Sequence, residues 1–152
     1  MKKSEFGRAV KKSFIALENK YGFKRTAANF HEGGVIVTYQ NETTEICLNY
    51  EIGEYPWITI ADIQNPKEDR VSLDWLLVEL GEREAPTTND AFFPPKMDNS
   101  QLDDELQKQS AQLMQFGSEM LNGDFSTLPK LKGRANTYLA ECRKIAERYK
   151  AA

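Results

Sequence analysis

The apolar residues of this chain change their spacing twice, and that change limits what it can fold into. Phe6, Val10, Phe14, Leu17 and Tyr21 recur every three or four residues, which puts them on one face of a helix over 4–21. Ser4 is placed to cap its start and Gly22 to end it. The period then falls to two. Along Thr43–Ile52, the residues Thr44, Ile46, Leu48, Tyr50 and Ile52 share one side of a strand, while Glu45, Cys47, Asn49 and Glu51 share the other. Phe23–Phe30, Val35–Tyr39 and Trp57–Ile63 read as its neighbours, separated by Gly33-Gly34, Asn41-Glu42 and Gly53–Pro56. Short turns between such strands predict an antiparallel meander of three or four strands.

Helical spacing returns after a charged loop at 64–70. Ser72 is a natural N-cap for a short apolar helix, Leu73–Leu80, that stops at Gly81. Ser100 with Asp103 resembles a capping box, opening a helix whose face runs through Leu102, Leu106, Leu113, Met120 and Leu121 to Gly123. Leu128, Leu131, Ala135, Tyr138, Cys142, Ile145 and Tyr149 keep heptad spacing in a last helix, capped by Ser126 or Thr127. The short link between these two helices predicts an antiparallel helical hairpin. Residues 82–99, with Pro86, Pro94 and Pro95, form the one long irregular stretch. It reads as a linker, a mobile loop or a strap laid over the core, and adjacent Phe92 and Phe93 favour the strap. The fold class expected is therefore α+β. It is a single domain over 1–152: helix, sheet and short helix in 1–81, a loop in 82–99, and a helical hairpin in 100–152.

Charge is distributed unevenly. Residues 1–33 carry 8 basic and 3 acidic side chains, a net +5; residues 34–99 carry 4 and 13, a net −9; residues 100–152 carry 8 and 7, a net +1. The acidic middle argues against nucleic-acid binding through that region, since phosphates are held by Lys and Arg. It suits either a solvated face or a surface complementary to a basic protein.

Little in the chain points to catalysis. There is one His, and His31-Glu32 lacks the second histidine of a zinc-protease motif. Cys47 and Cys142 have no metal-ligand spacing and read as two buried thiols in a reducing compartment. No metal and no cofactor is expected. Glu45 and Glu51 share a strand face but stand roughly 20 Å apart at strand rise, too far for a glycosidase pair. No run is apolar enough for a membrane span, and no secretory leader is recognisable at the N-terminus, so a cytoplasmic protein is expected. The remaining candidates are the acids and aromatics around the third strand: Glu42, Glu45, Glu51, Glu54 and Tyr55, set for partner binding. Tyr50 and Trp57 read more simply as core, which leaves Tyr55 as the exposed ring.

With those residues in view, the chain resembles the small cytoplasmic immunity proteins of bacterial contact-dependent and polymorphic toxin systems. The resemblance lies in a single α+β domain of this size, the acidic strand-and-turn region Glu42–Glu54, and the Leu121–Leu128 joint between two helices. It implies stoichiometric occlusion of a cognate toxin, often a basic nuclease, with no catalytic step. Glu42, Glu45, Glu51, Glu54 and Tyr55 would then meet Lys and Arg around the toxin active site. A second similarity, to type III secretion chaperones, implies capture of an extended effector segment. A small enzyme of unknown reaction would instead require a concave pocket with convergent carboxylates.

Overall fold

A computed structural model describes residues 3–65 and 70–151. The first helix, α1 (Lys3–Tyr21), buries Phe6, Val10, Phe14 and Leu17 along one stripe. Ser4 lies inside the helix and is not its cap. Four strands follow as a meander: β1 (Lys24–His31), β2 (Gly34–Gln40), β3 (Thr44–Glu51) and β4 (Trp57–Asp62). A fifth, β5 (Val71–Ser72), extends the sheet beyond the three or four strands expected. Two residues carry no visible alternation, so β5 has no signature in the sequence. The loop expected at 64–70 falls partly outside the described residues.

All neighbours pair antiparallel in the order β1-β2-β3-β4-β5. Alternation on β2, β3 and β4, broken only at the buried Ala61, sends Val35, Val37, Tyr39, Thr44, Ile46, Leu48, Tyr50, Ile58 and Ile60 to one face. That face meets α1, and each large aliphatic side chain buried there contributes about 1.5–3 kcal/mol. Two stacked ring pairs, Phe6 on Tyr50 and Phe14 on Tyr39, both with centroids 5.3 Å apart, fix how α1 lies on β2 and β3. Burial of Tyr39 there, with Glu18 nearby and Arg25 opposing, pushes its hydroxyl up to about 12. Ile52, expected on the same face, lies past the end of β3 and is exposed.

Helix α2 (Leu73–Glu79) starts as expected, with Ser72 Oγ accepting from Trp75 N. The stretch after it holds one more helix, α3 (Thr88–Phe92), closed by a capping box between Thr87 and Asp90. Phe92 and Phe93 do not lay this stretch over the core as expected. Met97 is buried and its N–H bonds Gly53 O at 2.9 Å, whereas Phe92 is 41% exposed and Phe93 73%. Asp98, not a Ser100–Asp103 box, caps the 3₁₀ turn that opens α4 (Leu102–Phe116).

Gly117 then breaks the long helix that periodicity predicts to 121. A methyl group there would sit 2.7 Å from Leu113 O, and α5 (Ser118–Leu121) restarts beyond it. Helix α6 (Leu128–Ala151) completes the chain. The expected hairpin is altered in one respect. α4 packs chiefly on α1, while α6 packs on α2, α3 and β5, so the two long helices do not run along each other. Only Leu128 and Leu131 of the α6 stripe are buried. Beyond them the helix is held by Trp75 against Tyr138, by Tyr138 Oη donating to Thr87 O at 3.0 Å, and by ion pairs from Lys130 and Arg134 to Glu79.

Buried polar contacts tie the layers together. Ser110 Oγ donates to Ser13 O at 2.6 Å, joining α4 to α1, and Thr44 Oγ1 donates to Met120 O at 2.7 Å, joining β3 to α5. Asn41, in the β2–β3 turn, reaches three elements. Its amide donates to Tyr21 O and Leu121 O, and its carbonyl accepts from Thr43 N, Thr43 Oγ1 and Thr44 N. Among the described residues no helix is long and apolar enough to cross a membrane.

Candidate functional site

The alternation that buries one side of the sheet leaves the other side uncovered. Ladder register aligns its side chains in rows. The central row is Ala27, Thr38, Cys47, Thr59 and Ser72; the next is Asn29, Ile36, Asn49 and Trp57. These β2–β4 side chains are half-buried among themselves. Their hydrogen bonds stay within the sheet or go to Arg70. Cys47 Sγ lies 3.5 Å from Thr38 Oγ1, and Asn49 Nδ2 donates to Trp57 O at 3.4 Å. Trp57, expected in the core, therefore belongs to this open face. Its position follows from register: it stands opposite Asn49, one place from the core residue Ile58.

Each end of the face carries a carboxylate engaged with a neighbour. At one end Glu45 takes bonds from Arg70 and Gln40, and Arg70 Nε also donates to Thr59 Oγ1 at 2.9 Å. Burial alone would raise the Glu45 carboxyl. The bonds from Gln40 and Arg70, the Arg70 charge and the Cys47 thiol outweigh it and hold the carboxyl below its ordinary value. At the other end Glu51 Oε1 lies 3.4 Å from His31 Nε2.

The structure does not gather Glu42, Glu45, Glu51, Glu54 and Tyr55 into one acidic patch. Glu42 sits in the exposed β2–β3 turn beyond the Glu45 end. Glu54 and Tyr55 lie in the β3–β4 turn at the opposite end, where Glu54 pairs with Lys96 at 3.6 Å. Among the other described acids of 34–99, Asp74 pairs with Arg83, Glu79 with Lys130 and Arg134, and Asp90 and Asp98 cap short helices. Net charge along a sequence segment is thus not net charge on a surface. Sequence periodicity did contain the signal for the open face, because Cys47 and Asn49 alternate with core residues.

Beside the Tyr55 end lies a cleft of about 500 Å³ between the β3–β4 turn, α2, α4 and the proline segment. Its walls include the carboxylates Glu54, Asp74, Glu82 and Glu105. Desolvation raises the Asp74 carboxyl, Arg83 opposes the shift and Glu105 adds to it. Asp74 is bound by Arg83, Glu54 by Lys96, and Glu105 accepts from Gln109 at 3.0 Å. Glu82 is then the one cleft carboxylate without a side-chain partner among the described residues.

The two cysteines are free thiols, each half-buried instead of buried. Among the described residues no cluster of His, Cys, Asp or Glu is placed to hold a metal ion. Comparison with protein-family models, curated proteins and solved structures finds no match to this chain.

Proposed function

We propose that the chain is a protein-binding inhibitor of the immunity-protein kind, and that its partner docks on the open face of the sheet. The observation that carries this reading is the uncovered β2–β3–β4 surface. Its centre is small and uncharged (Thr38, Cys47, Asn49, Thr59), Ile36 and Trp57 supply apolar area, and carboxylates stand at both ends. A centre built from small uncharged side chains, with charged groups around it, is the anatomy of a protein interface. Glu42, Glu51 and Glu54, with Tyr55 at the rim, supply the attraction for a basic toxin surface. Such a rim raises the association rate and makes it fall with salt. Glu45 acts differently: it holds Arg70 over the face, so its reversal to Lys would misplace that guanidinium as well as alter charge.

The test is inhibition. The immobilised chain is used to capture its partner from host lysate, and the captured protein is assayed for toxin activity, nuclease activity first. One equivalent of the chain is expected to abolish that activity. Cys47→Arg or Asn49→Arg is expected to weaken inhibition at least a hundredfold while leaving the circular dichroism unchanged. A captured protein that stays active at one equivalent refutes the inhibitor reading. Full inhibition by both face variants refutes the site.

A further inference from the structure

β1 is the exposed edge of the sheet. The opposite edge, β5, is two residues long and packs against α6. β1 is eight residues long, and seven of them are exposed. α1 lies on β2 and β3 and reaches β1 only through Lys3, whose ammonium stands 5.0 Å from the Phe30 ring, so Ala28 and Phe30 stay exposed on the helix side of the sheet, Phe30 at 40%. Edge strands are normally blunted by Pro, by inward charges or by bulges. On β1 those devices sit at one end only. Lys24 and Arg25 open the strand, and the register slips between Arg25 and Ala27. From Ala27 to His31 the pairing with β2 is continuous, with no Pro, Lys, Arg, Asp or Glu.

We infer that β1 is a self-association edge: it pairs antiparallel with β1 of a second copy about a two-fold axis through Asn29. The register follows from the side chains. Opposed residues in an antiparallel pair share a face, so the axis must pass through a residue. Centred on Asn29, Phe30 of each copy lies opposite the small Ala28 of the other, and both rings pack over the seam beside Lys3 of their own α1. Thr26 comes opposite Glu32 of the second copy, so Lys24 and Arg25 meet an acid. Neither cation has an ion-pair partner within its own chain among the described residues. Centring on Ala28 would instead set Arg25 against His31 and Phe30 against the bulge. Centring on Phe30 would stack two rings head-on and run the pairing into the Glu32–Gly33 turn.

The result is a continuous ten-stranded sheet with both open faces on one side. It uses none of the side chains assigned to partner docking, so it stands or falls separately from that assignment. A short edge pairing buries less than a standard interface, which places the dimer in the micromolar range.

Analytical ultracentrifugation between about 1 and 200 µM is the first test. The wild-type chain is expected to dimerise, and Ala28→Lys to remove the dimer. Arg25→Glu and Glu32→Arg should each weaken it several-fold at low salt, and their combination should restore it. All three positions are exposed, so the variants should keep the wild-type circular dichroism. The second test reads register. In a chain carrying Cys47→Ser and Cys142→Ser, Asn29→Cys is expected to form an intermolecular disulfide with oxidised glutathione, because opposed Cα atoms lie within disulfide reach. Ala27→Cys is expected not to. A wild-type chain monomeric at 200 µM, a dimer indifferent to Ala28→Lys, or equal cross-linking at positions 27 and 29 would each overturn the inference.

Discussion

Replacing Asn41 by alanine should destabilise this protein well beyond an ordinary surface substitution. One amide makes five hydrogen bonds to three elements: the C-terminal ends of α1 and α5 and the β2–β3 turn. A typical intramolecular hydrogen bond contributes about 0.5–1.5 kcal/mol net. The site is half-buried, so water can replace part of what is lost, and the lower figure applies to each bond. Five bonds then give about 2.5 kcal/mol, a fall in melting temperature of about 5–10 °C for a chain of this length. Asn41→Asp separates the two halves of the amide. It keeps the three accepting bonds to the turn but sets a carboxylate against the carbonyl oxygens of Tyr21 and Leu121, at the negative ends of two helices. That contact raises the aspartate pKa in the folded state, so its destabilisation is full at pH 7 and shrinks as pH falls through that value. Urea unfolding followed by the fluorescence of Trp57 and Trp75 measures both variants. An alanine variant within about 0.5 kcal/mol of wild type, or an aspartate variant equal to wild type at pH 7, would show that Asn41 does not tie these elements together.

Gly123 holds φ at 92°, and a methyl group there would meet Thr43 Cγ2 at 2.9 Å. Gly123→Ala should therefore cost about 1–3 kcal/mol, read from the same urea curves. Because the Glu45 carboxyl is held below its ordinary 4.5 in the folded state, its contribution is present above that pH and is lost as pH falls through the folded value. Wild type should accordingly lose more stability than Glu45→Gln on acidification from about pH 5 to pH 3, and parallel acid profiles would contradict this. Met97→Ala should lower stability by about 2–3 kcal/mol, whereas Phe93→Ser should change it by less than about 0.5 kcal/mol; calorimetry separates the two.

Periodicity made most of the fold legible. α1, the middle three strands and the Ser72 cap all follow from local patterns that agree with their tertiary surroundings. The failures share a cause. Phe92 and Phe93 are as apolar as Met97, yet only Met97 is seated, because the bond from its N–H to Gly53 fixes the strap at that residue. The hairpin expectation rested on the heptads of α6, whose apolar residues after Leu131 turn to α2 and α3. No local pattern specifies which helix a stripe will meet. The acidic site was legible as composition but not as geometry. Arg70 lies far from Glu45 in sequence, and the ladder brings it alongside. Trp57 was misplaced by the assumption that a tryptophan in a strand faces the core, although its offset from Ile58 already put it on the other side.

If a protein partner covers the open face, the two cysteines report it directly. Cys47 lies in the middle of that face and Cys142 on α6, both free and both half-buried. Their alkylation rates can be followed by mass spectrometry with and without the captured partner. Docking on the open face predicts that the partner slows labelling of Cys47 at least tenfold and leaves Cys142 unchanged. Labelling of Cys47 at its free rate in the saturated complex would contradict the claim.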